Sequence, residues 1–176
     1  MNLKTLKKYF LKKQFEKQLK KGFSKKQLTK FKTVGILVNA EEFSEIDAFN
    51  SLIDSLEILN KDLKLIIYKE EKKKLPTLEQ NKFSSKGFSW NGVLTKPAII
   101  EFLDREYDLF IGYYSKKNIY LDYIASASKA HLKVGLEGAD RRIFDIFFKI
   151  KIKDYTLFEQ ELAKYITIFQ DKKATV

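Results

Sequence analysis

Val34-Gly35-Ile36-Leu37-Val38-Asn39 is a short apolar run with β-branched residues, set between polar segments. Such a run reads as a strand buried on both faces. Leu63-Lys64-Leu65-Ile66-Ile67-Tyr68 is a second run of the same kind. Between them Ser44 can cap a helix over 45–59, where Ile46, Phe49, Leu52, Ile53, Leu56 and Leu59 recur at helical spacing. Strand, helix, strand implies a right-handed parallel crossover.

Working outward, the same alternation continues. Polar sequence over 69–87, with Pro76 inside it, reads as an irregular connection, and Phe88-Ser89-Trp90 as a short edge strand before the turn residues Asn91-Gly92. Thr95 and Pro97 open a helix over 97–105. A main strand follows at 107–113, a helix with small residues at 118–130, short strands at 132–135 and 143–150, and a helix capped by Asp154 that runs to about 169. The expectation is an α/β fold, Rossmann-like or flavodoxin-like: a parallel-dominated sheet of about five strands with helices on both faces.

The region before Val34 differs in charge. Residues 1–32 hold twelve Lys and one acid, Glu16, a net of +11, while 33–176 hold 22 basic and 22 acidic residues. All the net charge of the chain therefore lies in its first fifth, which divides it into a basic helical arm (1–32) and an α/β domain (33–176) and points to a polyanionic partner. Segment 2–21 lacks Gly and Pro and is rich in helix formers. On a helical wheel Leu3, Leu6 and Phe10 share one face, and Leu11, Phe15 and Leu19 another, with lysines nearly all round. A helix packed on a core shows one apolar face, so this pattern suits phosphates better. Gly22 is a stop signal, and Ser24-Lys25-Lys26-Gln27 has capping-box spacing, which predicts a second helix over 25–31.

Several classes of chemistry are disfavoured. The chain has no Cys, which rules out thiolate metal sites and a cysteine nucleophile. No apolar run approaches the about 20 residues of a membrane-spanning helix, and the N-terminus lacks the pattern of a secretory signal, so cytoplasm is expected. A dinucleotide site would need a glycine-rich turn after the first strand; here Asn39-Ala40-Glu41-Glu42 puts two acids where phosphate should sit. No nucleotide or other cofactor is expected, nor a metal. His131, the only His, reads as a boundary residue with a satisfied ring nitrogen, since no nucleophile accompanies it. Asn39, Glu41, Glu42, Tyr68, Tyr113, Tyr114, Ser115 and Glu137 lie at strand ends, where open sheets gather ligands; they read mainly as strand-end residues without catalytic work. Trp90 reads as packing over a sheet edge, or else as a ring on which a base can stack.

The arm carries the positive case. Lys4, Lys7, Lys8, Lys12, Lys13, Lys17, Lys20, Lys21, Lys25, Lys26, Lys30 and Lys32, with Tyr9, form the candidate RNA-binding set, interleaved with Phe10, Phe15 and Phe23. Lysines supply mobile charges for phosphate, and rings can stack or fill a groove.

Four stretches also carry a resemblance: Phe83-Ser84-Ser85-Lys86-Gly87-Phe88-Ser89-Trp90, Tyr107-Asp108-Leu109-Phe110-Ile111, Tyr120-Leu121-Asp122-Tyr123-Ile124-Ala125 and Ser128-Lys129-Ala130-His131-Leu132-Lys133-Val134-Gly135. Over about 30–170 the chain resembles a small α/β family of the Bacteroidetes, a domain of unknown function without an established catalytic motif. The resemblance implies no activity, and it is compatible with a lineage-specific ribosomal protein. The expected function is therefore non-enzymatic: rRNA binding through the arm, with rRNA and ribosomal proteins as partners. The alternatives are a small-molecule or enzymatic domain with its pocket at the strand carboxyl ends, and a peripheral membrane protein. The last would need one dry helix face, which the scattered lysines deny.

Overall fold

The computed structural model describes residues 2–26, 28, 30–70 and 81–174, with backbone alone for 171–174. Its centre is a six-stranded, wholly parallel sheet: β1 (Val34–Asn39), β2 (Leu63–Tyr68), β3 (Lys82–Phe83), β4 (Glu106–Tyr113), β5 (Lys129–Leu136) and β6 (Ile146–Phe148), in the order β3-β2-β1-β4-β5-β6. Five helices surround it: α1 (Leu3–Lys21), α2 (Ser51–Ser55), α3 (Pro97–Asp104), α4 (Ile119–Ala127) and α5 (Tyr155–Ala174). The α/β class and helices on both faces agree with the sequence; the strand count is six rather than about five.

Alternation along β1 explains the two-sided core. Val34, Ile36 and Val38 face one layer with Phe49 and Leu52 of the α2 region and Phe158, Leu162 and Ile166 of α5. Leu37 faces the other, with Ile99 and Phe102 of α3, Leu121 and Ile124 of α4, and Leu11 and Phe15 of α1. Every residue of β1 is buried, as expected of a central parallel strand. Gly112 and Gly135 are register partners on β4 and β5, and the Phe144 ring lies flat over both. A Cβ at Gly112 would sit 2.4 Å from that ring, so the pair has to be glycine for it to close down on the sheet.

Four local expectations are corrected. The edge strand is β3, not 88–90; Phe88 makes only an isolated antiparallel bridge to Leu94. The strand expected over 143–150 shrinks to Ile146–Phe148, because Phe144 is drawn into the core as the lid over the two glycines. The helix expected over 45–59 is a 3-10 turn, Ile46–Asn50, followed by the short α2. It ends early because Glu57 adopts a left-handed φ of 52°, and the Ile58 N–H donates to the Ile53 carbonyl, a closing turn usually marked by glycine.

The fourth correction concerns the helix expected over 25–31. The described residues between Gly22 and Thr33 contain no helix, and Gln27 of the capping box lies outside them. The segment is tied to the body at both ends instead. Lys26 N–H donates to His131 Nδ1 at 3.0 Å, and the Lys32 and Thr33 amides donate to Asp108 Oδ2 at 2.8 and 3.0 Å. Phe31 is buried against Phe169 of α5, ring centroids 5.8 Å apart. The segment thus carries the chain from the α1 layer to the α5 layer. The irregular connection expected over 69–87 falls largely outside the described residues; where described, it leads into β3 and the turn that follows.

Candidate nucleic-acid interface

Helix α1 begins where Asn2 caps it, its side chain accepting from the Lys4 N–H at 3.0 Å, and stops at Gly22, whose φ is 62°. Lys20 and Lys21 in its last turn oppose the negative end of the helix dipole. Lysines lie on nearly every side, yet α1 packs on the core. Leu11 and Phe15 are buried and Leu19 is half-buried, together forming a stripe against α4 and its neighbours. Each fully buried side chain contributes about 1.5–3 kcal/mol.

Polar contacts fix the helix in place. The Lys7 ammonium donates to the Ser85 carbonyl at 3.1 Å and the Phe88 carbonyl at 2.7 Å. Burial lowers its pKa from the usual lysine value, with the Glu70 carboxylate pulling the other way. Gln14 donates to the Asn91 carbonyl at 3.2 Å, and a Cβ at Gly92 would approach Leu11 N to 3.0 Å, so the 89–92 turn lies directly on the helix. Glu16, the lone acid of 1–32, pairs with Arg142 at 3.1 Å, and the same guanidinium sits 5.3 Å from the Phe15 ring centroid. Glu16 itself was the legible signal: a single acid among twelve lysines has a partner elsewhere in the chain.

The predicted lysines fall into three groups. Lys4, Lys8, Lys12, Lys13, Lys17, Lys20 and Lys21 are exposed along α1. Of these Lys4, Lys8 and Lys12 line a cleft of about 590 Å³ with Tyr68, Glu70, Lys117 and the start of α4. Lys13 stands over the Tyr9 ring at 5.0 Å from its centroid. Lys7 is turned inward. Beyond the helix, Lys25 pairs with Asp145 and Lys26 with Glu106, while Lys30 and Lys32 are exposed. Sequence reasoning passed over Lys117, which the fold brings beside the arm lysines.

Between β1 and β4 the carboxyl ends of the strands are closed by the chain itself. In this strand order the crevice for a ligand opens where β1 and β4 diverge. There the Glu42 carboxylate accepts from Ser115 N–H at 3.2 Å and Lys116 N–H at 3.3 Å, from the Ser115 hydroxyl, and from Asn39 Nδ2 at 2.8 Å. A side-chain anion thus occupies the place of a ligand phosphate. Tyr113 and Tyr114 are fully buried, their hydroxyls donating to the Ile152 carbonyl at 2.7 Å and to Asp122 Oδ1 at 3.0 Å. Burial pushes the Asp122 carboxyl up to about 6, against the pull of that hydroxyl.

His131 lies within β5 rather than between a helix and a strand. Its register, beside the pair Tyr107 and Ala130, places it near the strand start, at the far end of the sheet from Tyr113. Its Nδ1 accepts from Lys26 N–H and its Nε2 meets Glu106 Oε1 at 2.8 Å, so both ring nitrogens are engaged. Lys133, also buried, donates to the Ala125 and Ser126 carbonyls at the end of α4, and burial lowers its pKa to about 8. Among the described residues no cluster of three metal-ligating side chains occurs, and no helix is long and apolar enough to cross a membrane.

Fold and surface together define a doubly wound, all-parallel α/β protein whose strand-end crevice is filled from within and whose N-terminal helix presents lysines. The chain belongs to the family of unknown function DUF6913, which matches residues 7–169. The matched region starts inside α1 and ends inside α5, so both terminal helices belong to the family unit. No curated protein and no solved structure matches the chain.

Proposed function

We propose that this protein binds RNA through the outward lysines of α1, as a cytoplasmic ribosomal or ribosome-associated protein with rRNA and ribosomal proteins as partners and no catalytic role. The observation that carries the reading is the division of α1 into two sides. Its apolar stripe is spent on the core, its one acid is turned to Arg142, and seven lysines remain exposed on a body of zero net charge. Exposed lysines on an anchored helix suit a phosphate backbone, whose binding is dominated by charge. The lysines on nearly every exposed side of the helix weigh against a lipid surface, which needs one dry helix face. The Glu42 plug and the buried strand-end tyrosines weigh against a small-molecule pocket at the usual place.

Deleting residues 1–32 is a poor test, since it would also uncover the core beneath Leu11 and Phe15. The test is a triple variant, Lys13→Gln, Lys17→Gln and Lys20→Gln, followed through ribosome gradients and salt titrations. Loss of three phosphate contacts should lower the slope of log affinity against log salt by about 2 and shift the protein from ribosomal to free fractions. Unchanged co-sedimentation with an unchanged slope would refute the proposal.

A further inference from the structure

The outer side of α1 is aromatic as well as basic. Tyr9 is 51% exposed and Trp90 is 55% exposed, and Phe10 lies between them. Phe10 meets Tyr9 edge-on at 5.7 Å and Trp90 edge-on at 6.0 Å. Three contiguous rings thus bridge the helix and the 89–92 turn, with the two outer rings open to solvent. The turn is held rigidly. Ser89 N–H donates to the Val93 carbonyl at 2.8 Å, Gly92 N–H to the Ser89 carbonyl at 3.0 Å, and Gln14 of α1 to Asn91. Gly92 has a φ of 78°, which favours glycine in this turn. Large rings held half-exposed at fixed positions are costly for a solvated surface and useful for a contact. The lysines around them decide which contact: Lys13 stands over Tyr9, and Lys12, Lys17 and Lys20 follow on the same helix. Rings in a cationic surround fit stacked bases joined by phosphates, whereas a protein partner's apolar patch would leave those charges uncompensated.

We propose that Tyr9 and Trp90 are a stacking platform for unpaired nucleotides, so that the protein takes single-stranded RNA in preference to duplex. In a duplex the base faces are already stacked and unavailable to side chains. The proposal rests on the RNA-binding reading and names the form of its ligand. Trp90 is the only tryptophan, so fluorescence excited beyond the tyrosine absorption band reports on this site.

The experiment titrates the full chain with single-stranded RNA, a hairpin-free duplex of the same length, and inorganic polyphosphate of comparable charge. Single-stranded RNA should quench Trp90 and bind tightest; polyphosphate should bind without quenching. Tyr9→Leu and Trp90→Leu, measured by anisotropy of labelled RNA, should each weaken single-strand binding by about 10-fold. Both should leave polyphosphate affinity and the salt slope unchanged, and Trp90→Phe should restore most of the loss. Circular dichroism confirms that the variants fold. If single-stranded RNA binds without quenching, or if duplex binds equally well, the platform is overturned while RNA binding stands. If no RNA of either form binds, the RNA-binding reading falls, and the platform with it.

Discussion

Replacing Phe15 by Ala separates a docked α1 from a loose arm. Phe15 is 3% exposed, sits in the layer with Leu11 and Phe144, and carries the Arg142 guanidinium over its ring. Truncating a buried Phe costs about 3–5 kcal/mol through lost transfer energy and the cavity left behind. The cation–π contact adds about 0.5–1 kcal/mol at a partly exposed site such as Arg142. The total is a large part of the about 5–15 kcal/mol by which domains are stable. In urea, with a slope of about 2 kcal/mol per molar, a loss of about 3.5–6 kcal/mol lowers the midpoint by about 2–3 M. The matching fall in Tm is about 7–24 °C for a chain of this size. Lys13→Gln, two positions away on the exposed side, should change stability by less than about 0.5 kcal/mol. A Phe15→Ala variant with the urea midpoint of the parent would show that the helix does not pack as described, and the argument from its two sides would fail.

Two further outcomes follow from the interior. Glu42→Ala removes the acceptor shared by Ser115, Lys116 and Asn39, and should cost about 2–3 kcal/mol by urea denaturation; a neutral result would mean that water serves those donors equally well. Asp122 has a folded pKa of about 6, above the ordinary carboxylate range because it is buried. The native state therefore holds its proton more tightly than the unfolded chain, and the contribution of this group to stability is lost as pH rises from about 4 through 6. Asp122→Asn should gain on the parent by about 2–3 kcal/mol between pH 4 and pH 7, read from paired denaturation curves; a constant difference across that range would contradict the assignment.

Much of the fold was legible because its strands are apolar over their whole length. Val34–Asn39 and Leu63–Tyr68 fall where the sequence put them, since a strand buried on both faces leaves no ambiguity of phase. The edges were harder. Lys82–Phe83 pairs with one neighbour over two residues, too short for any periodicity to register. Glu57 closes a helix without the glycine that normally announces such a stop. The helix over 25–31 failed because the segment is tied at Lys26 to His131 and at Lys32 and Thr33 to Asp108, more than seventy positions away in the chain. At the candidate interface the lysines were plain, but their division was not. Leu11, Phe15 and Leu19 recur every fourth residue, a stripe narrow enough to be hidden by Leu3, Leu6 and Phe10 on the next face. Of that second set Phe10 leans on Trp90 of the 89–92 turn, a contact between distant segments that no local pattern encodes.

The fastening of α1 by Lys7, Gln14 and Glu16 has a thermodynamic consequence for any polyanion that meets it. A disordered basic tail surrenders about 1–2 kcal/mol per residue of backbone entropy when it is ordered on a partner. The nineteen residues of α1 are already helical and already anchored. Association should therefore leave helicity unchanged in circular dichroism and show only a small heat-capacity change, the signature of a rigid template rather than of coupled folding. The charges stand at the intervals a helix dictates, and a polyanion that met them would have to adapt to that spacing.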